Sequence, residues 1–360
     1  MSILYFLNQP ETRSLTVLLL LAVITPILAA YTSLFPPILW LSLTSNYVYL
    51  FLYFIFVCFI TRLIARGGTY SEINKLNLKG KTYLITGSAG GLGKQTAIQL
   101  AKRGARVILF ARQSNLQQAI DDVKKQSKSE DNVIGFPLDL SDLSSIKKCV
   151  DLYHQSEGKD AQIRALINNA GVMACPYKQT KDGFEMQMGT NHFGHFYLTK
   201  LLLPQLRKSK SRVVNVSSTG HALWQVPCTP ETYAQQLNEK TYNPMNAYSL
   251  SKIANIYFAI ELDRRFGLQA YSLHPGAVNT ELQRYMGFLT VLRPLTLLIF
   301  KTPLEGAQTQ LYCALADGVR PGEYFADCKQ KAYGNPHAAD KDKAKEWWDY
   351  SEKMLSEKLK

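Results

Sequence analysis

Lys81-Thr82-Tyr83-Leu84-Ile85-Thr86 runs straight into Gly87-Ser88-Ala89-Gly90-Gly91-Leu92-Gly93, and this junction decides the fold. The first six residues form a short apolar, β-branched run, the composition of a buried strand. Gly93–Arg103 then reads as a helix. Small residues at such a junction let the backbone approach a pyrophosphate, and the helix start offers N–H donors and the positive end of its dipole. Gly87, Ser88, Gly91, Leu92 and Gly93 are therefore candidate contacts to a dinucleotide. A tight turn without a ligand has the same local composition, so the placement between strand and helix carries the argument.

Moving outward, strand and helix patterns alternate. Val107–Phe110, Val133–Leu138, Ile163–Ile167, Arg212–Val216 and Ala270–Leu273 read as further strands, with Tyr324-Phe325 as a short seventh. Continuous apolar strands separated by helices predict an α/β fold, a Rossmann-type doubly wound parallel sheet covered on both faces. We place this domain at 80–360, after a polar linker at 67–79.

Residues 1–66 differ in kind. From Ser14 to Thr61 there is no charged side chain. A bilayer-crossing helix needs about 20 apolar residues, and this stretch exceeds twice that length. Pro26, Pro36 and Pro37 interrupt it, which predicts two spans, Leu15–Tyr31 and Tyr47–Thr61; a single bent span is the competing geometry. Arg13 before the stretch and Arg62 and Arg66 after it favour a hairpin with both termini cytoplasmic. The expectation is an N-terminal membrane anchor, in the endoplasmic reticulum, with the catalytic domain in the cytosol.

The net charge of +13 is spread along the chain, with short clusters at Arg207–Arg212 and in the tail from Lys341. It suits a membrane surface better than nucleic acid, which we do not expect as a partner. Six cysteines show no C-x-x-C pair and no accompanying histidine cluster at metal-ligand spacing, so no metal is expected and a reducing compartment fits.

Two features bear on the cofactor. The second strand ends Phe110-Ala111-Arg112, without the acid that holds a ribose diol in NAD-binding folds. A guanidinium there suits a 2′-phosphate, which favours NADP over NAD. Asp139, after the third strand, is placed either to contact adenine or to serve a loop or helix-capping role. Further on, Tyr248-Ser249-Leu250-Ser251-Lys252 puts a phenol and an ammonium on one helical face. Free tyrosine titrates at about 10, and a nearby cation lowers that value. The pair can thus pass a proton to or from an alcohol during hydride transfer. By itself the Y-x-x-x-K spacing is common by chance.

Taken together, these motifs resemble those of the short-chain dehydrogenase/reductase family, especially its retinol-dehydrogenase-like branch, from about Lys81 to Lys331. Asn168-Asn169-Ala170-Gly171 resembles the family's N-N-A-G after the fourth strand. Asn191-His192-Phe193-Gly194-His195 is similar to the segment with the catalytic asparagine, and Val213-Val214-Asn215-Val216-Ser217-Ser218 to the strand bearing the catalytic serine. His274-Pro275-Gly276 through Thr280 resembles the loop that packs over nicotinamide. The resemblance implies that Tyr248 is the acid/base, that Lys252 lowers its pKa and binds the nicotinamide ribose, and that Ser218 orients the substrate oxygen, with Ser217 as the alternative. It further implies that Asn191 positions a relaying water and that Asn169 flanks the cofactor. Homodimers occur in the family.

One departure is the long insertion between Ser218 and Tyr248, carrying Trp224, Pro227 and Pro230, which should loop out beside the substrate mouth. The apolar stretch Leu282–Phe300 reads either as a lid on a lipophilic pocket or as an ordinary core helix. The tail with Trp347 and Trp348 reads as an amphipathic helix, either packed on the domain or touching membrane. A lipid-soluble alcohol or carbonyl compound follows as substrate: retinoid first, with a steroid, prenol or lipid aldehyde as alternatives. The opposing class, a nucleotide-binding scaffold without turnover, is disfavoured by the intact Asn191, Ser218, Tyr248 and Lys252 set.

Overall fold

In the computed structural model the described residues are 16, 43–223, 225–285 and 298–360, with side chains of the first helix from Leu52 onward. That helix, α1, spans Leu43–Arg66. The strands are β1 Thr82–Thr86, β2 Arg106–Ala111, β3 Val133–Pro137, β4 Ile163–Asn168, β5 Arg212–Val216, β6 Gln269–His274, β7 Tyr324–Ala326 and β8 Lys329–Gln330. Between them run the long helices α2 Gly91–Ala101, α3 Gln113–Ser127, α4 Leu143–Glu157, α5 Gly194–Lys208, α6 Pro244–Phe266 and α7 Pro303–Leu315, and α8 Lys341–Lys358 ends the chain.

The sheet order is β3-β2-β1-β4-β5-β6-β7-β8, parallel throughout except for the antiparallel β7–β8 pair. Alternate residues of each strand enter opposite cores. Leu84, Ile108, Phe110 and Leu166 face α4, α5, α6 and α8. Tyr83, Ile85, Val107, Leu109 and Ile167 face α2, α3 and α7. Because both faces are covered, both sides of each strand must be apolar, which is why the strands read as unbroken hydrophobic runs. The helices supply matching stripes at helical spacing, such as Leu143, Ile146, Val150 and Tyr153 of α4.

The order reverses between β1 and β4, and a crevice at the carboxyl ends of the strands opens at such a switch point. The glycine turn after β1 and the N-N-A-G segment after β4 both sit there.

At the amino-terminal side, the predicted span Leu15–Tyr31 lies outside the described residues, and Tyr47–Thr61 falls within α1. Among the described residues no helix is long and apolar enough to cross a membrane. The helix does expose Leu52, Phe54, Ile55, Phe56, Phe59 and Leu63. Met286–Leu297, the bulk of the predicted apolar lid, is outside the described residues, as is Trp224. The tail packs on the domain: Trp347 and Trp348 of α8 are buried, and the Trp348 ring meets Phe196 at 4.7 Å between centroids.

Candidate active site

The glycine turn is shaped by backbone need. Gly87 and Gly91 adopt left-handed φ values of +65° and +51°, where a side chain is strained. A Cβ on Gly93 would overlap the Gly87 carbonyl, whereas nothing lies within 4 Å of the Cβ position of Gly90. The turn is thus tight beneath and open above, at the start of α2. That is a cradle the phosphates of a dinucleotide would fit, held by backbone N–H groups. Ser88 is buried, and both its hydroxyl (3.3 Å) and its amide (3.4 Å) donate to the Phe110 carbonyl, which fastens the turn to β2.

Below the turn, the Thr86 hydroxyl organises β1 and β4. It accepts from the amides of Asn169 (2.9 Å) and Ala170 (3.0 Å) and lies 2.8 Å from His195 Nε2. His195 Nδ1 lies 3.0 Å from the Asn191 carbonyl. A carbonyl can only accept, so Nδ1 carries the hydrogen and Nε2 accepts from Thr86. Burial pushes His195 down to about 4, which keeps it neutral. Asn169, expected to flank the cofactor, spends its amide on the turn. Nδ2 donates to the Thr86 carbonyl at 2.8 Å, and Oδ1 accepts from Gln310 Nε2 at 2.9 Å.

Asn191 occupies a π-helical turn, Gly189–Phe193, at the head of α5, a device often found at functional sites. Its side chain pairs with both backbone groups of Val172, Oδ1 accepting at 2.8 Å and Nδ2 donating at 3.0 Å, and Nδ2 also donates to Ser251. The side chain is therefore committed to fixing the loop after β4. A Cβ on Gly171 in that loop would sit 3.1 Å from Asn191 Oδ1 and 3.6 Å from Lys252 Nζ.

Helix α6 brings in the phenol and the ammonium. Asn243 caps it by accepting from the Met245 and Asn246 amides, Pro244 opens it, and Gly267 ends it in the left-handed conformation. Tyr248 and Lys252 are buried, one turn apart, with Lys252 Nζ 5.4 Å from the Tyr248 ring centre. Lys252 Nζ donates to the Val216 carbonyl at 3.1 Å, at the end of β5. Ser218 follows that strand and stands beside the Tyr248 phenol, near enough to favour its ionised form. Gly220, whose amide donates to Ser218 Oγ at 3.0 Å, lets the Tyr248 ring approach: a Cβ there would lie 2.9 Å from Tyr248 Cε1. Ser217 turns the other way and donates to the Lys252 carbonyl at 2.7 Å. Of the two serines, only Ser218 faces the phenol.

Electrostatics depart from the sequence expectation of a lowered phenol pKa. Burial pushes Tyr248 up to about 12, against the opposing influence of Ser218, and pushes Lys252 down to about 7. Desolvation is the leading cause for both groups.

The remaining candidates are peripheral. Arg112 is exposed at the N-cap of α3, two residues past Phe110, whose carbonyl accepts from Gly87 N at 2.9 Å. Asp139 accepts from the Ser141 amide at 2.9 Å and hydroxyl at 2.7 Å, shaping the turn after β3. The insertion is fastened rather than loose. Tyr177 Oη donates to the Leu237 carbonyl, Tyr242 Oη to the Cys175 carbonyl, and Asn335 Nδ2 to the Val226 carbonyl. It leaves Leu223, Val226 and Leu237 exposed. His221 was not singled out by sequence. Its Nδ1 donates to the Ser218 carbonyl at 2.5 Å while Nε2 accepts from Gly334 N at 3.0 Å, bracing Ser218.

Comparison with known proteins agrees with this arrangement. Residues 81–228 match the family model described as short chain dehydrogenase. Retinol dehydrogenase 12 of Homo sapiens is 42% identical over 287 residues, 78% of this chain and 88% of that one. The chain belongs to the short-chain dehydrogenase family, in its retinol-dehydrogenase-like branch. Retinol dehydrogenase 11 of Homo sapiens is 40% identical over 302 residues, covering 82% of this chain and 91% of the relative. A crystal structure of an uncharacterised protein from Mycobacterium paratuberculosis superposes with a TM-score of 0.60 at 33% identity, over 81% of this chain and 98% of that chain. Membership makes the protein an NAD(P)-dependent oxidoreductase that acts on CH–OH groups of a small-molecule substrate.

Proposed function

We propose that the chain is a membrane-anchored, NADP-dependent oxidoreductase that interconverts a lipophilic, retinol-like alcohol and its carbonyl form. The observation that carries this reading is the convergence of Ser218, Tyr248 and Lys252 beside the glycine turn at the sheet's switch point.

The turn of Gly87, Ser88, Gly91, Leu92 and Gly93 would hold the pyrophosphate, with the amides at the start of α2 as its donors; Arg112 would meet the 2′-phosphate, and Asp139 and Asn169 would border the adenine and nicotinamide ends. When bound, the dinucleotide gives or takes the hydride. Ser218 orients the substrate oxygen. The Tyr248 phenol, kept protonated by burial, delivers a proton to that oxygen in reduction and recovers it in oxidation. Lys252 holds the nicotinamide ribose and, when charged, eases proton loss from the phenol. Asn191 secures the loop against which they work.

Support for the anchor comes from the exposed apolar residues of α1, a patch of a kind that soluble surfaces seldom carry. On this reading residues 1–66 attach to the bilayer, 67–79 link and 80–360 catalyse. The domain faces the cytosol at the endoplasmic reticulum, and substrate arrives from the lipid. A steroid, prenol or lipid aldehyde suits the same site.

The test is a panel of retinal, a steroid ketone, a prenal and a short aldehyde, assayed on the full chain with NADPH and NADH. Retinal should be reduced with NADPH preferred, and Arg112→Ala should weaken that preference about tenfold, the worth of a charge-assisted phosphate contact. Equal use of both cofactors before and after the substitution would count against the phosphate role. Turnover of the short aldehyde alone would count against the lipophilic substrate.

A further inference from the structure

Lys301 is a charged residue with almost no exposure, 1%, lying between the end of α1 and the loop that follows β6. Its ammonium is 2.7 Å from Asp327 Oδ1. Its stem lies against Gly276, where φ is +96° and a Cβ would sit 2.6 Å from Lys301 Cδ. Its backbone bridges to the same loop: Lys301 N donates to the Ala277 carbonyl at 2.8 Å, and Asn279 N donates to the Lys301 carbonyl at 3.1 Å. The loop continues to Thr280, whose methyl would lie 3.1 Å from a Cβ on Gly91. Lys301 thus grips by main chain, stem and charge the segment that reaches over the glycine turn.

The other side of the pair meets the linker. A Cβ on Gly67 or Gly68 would overlap Asp327, and Gly68 N donates to Asp327 Oδ1 at 3.4 Å. One turn earlier in α1, Arg62 pairs with Glu305, and Arg66 Nε lies 3.4 Å from Glu305 Oε1. Glu305 completes the capping box that opens α7 immediately after Lys301. Gly306, next in that helix, touches Val278 of the loop: a Cβ there would come 2.5 Å from Val278 Cγ2. The end of α1, the linker, the start of α7 and the loop after β6 therefore form one packed cluster around a buried ion pair.

We propose that Lys301 is a positioning residue: with Asp327 it clamps residues 274–280 over the dinucleotide turn and couples that clamp to the end of α1. The inference rests on the dinucleotide reading of the turn. A buried ammonium is expensive unless paired, and Asp327 is the partner that Lys301 has at this position. Removing either partner frees the loop and weakens the cofactor's cover without touching Ser218, Tyr248 or Lys252.

The experiment uses the full chain in detergent, with NADPH affinity measured by direct fluorescence binding and kcat and KM measured with retinal. Lys301→Met and Asp327→Asn should each weaken NADPH binding and raise its KM about tenfold, while kcat at saturating cofactor stays within about twofold of the parent. Arg62→Ala with Arg66→Ala should act in the same direction, by about threefold. Unchanged NADPH affinity in Asp327→Asn, which conserves volume and decides the matter if Lys301→Met fails to fold, would overturn the clamp. So would a fall in kcat at unaltered cofactor affinity. Unchanged affinity in the arginine double variant would overturn the coupling to α1. An unsubstituted protein that binds NADPH but reduces nothing would overturn the proposed activity instead, and the binding comparison would still decide the clamp.

Discussion

Tyr248 and Lys252 lie one turn apart in α6, and both have been taken almost wholly out of water. At neutral pH the phenol, pushed up to about 12, holds its proton, while the ammonium, pushed down to about 7, is poised to lose its own. On the proposed mechanism, reduction needs a protonated phenol and benefits from the charged lysine. As pH rises through about 7, the first condition persists and the second is lost. We therefore expect kcat/KM for carbonyl reduction, which reports the free enzyme, to fall as pH rises through about 7. Lys252→Arg, whose guanidinium stays charged, should lose this limb; a flat parent profile from pH 6 to 9 would contradict the assignment. The same shift has a stability sign. From about 7 up to the ordinary lysine value of 10.5 the unfolded chain binds the extra proton, so this group's contribution makes stability rise with pH across that window. The candidate phenol, ammonium and serine were legible because their spacings are local or their motifs contiguous. The Thr86–His195–Asn191 chain was not, since it joins residues 109 apart through buried hydrogen bonds. The resemblance favours Ser218 over Ser217, and the two neighbours turn opposite ways at the end of the strand.

Among the elements, the strands were the most readable. The central strands are buried on both faces and therefore largely apolar at consecutive positions, so the predicted runs overlap β1 to β7 with ends shifted by a residue or so. The polar pair Lys329-Gln330 of β8 gave no such signal; it pairs because Asp327 and Cys328 both turn through positive φ, at 53° and 56°. The π-helical turn bearing Asn191 was also invisible. It follows a short helix capped by Glu185, whose carboxylate accepts from the Gln187 and Met188 amides. Helix α6 owes its start to Asn243, and its first turns carry the phenol. Asn243→Ala should cost about 1 kcal/mol of stability and lower turnover through loosening of the Tyr248 turn. Urea unfolding alongside activity checks this, and an unchanged midpoint would show that the cap does not set the helix start. At the other end of the chain, Trp347 Nε1 donates to His192 Nε2 at 3.0 Å. The last helix thereby steadies the residue next to Asn191, a link of 155 positions that no sequence pattern announces.

For the whole molecule, one sheet and two cores bring the glycine turn, the N-N-A-G loop, Ser218 and α6 to a common edge. Residues 62–68 join α1 to the same region through Glu305 and the Lys301–Asp327 pair. The exposed apolar face of α1, joined beside the loop after β6, suits the proposed reading of a protein that draws its substrate from lipid and reduces it at the bilayer surface. That account stands on Tyr248 acting as the proton donor. The direct test is retinal reduction by the full chain reconstituted in phospholipid vesicles with NADPH, comparing the parent protein with Tyr248→Phe. The account predicts a loss of turnover of about 10²–10⁴-fold, the usual worth of a positioned acid, with NADPH affinity unchanged. Turnover within a few-fold of the parent would contradict it.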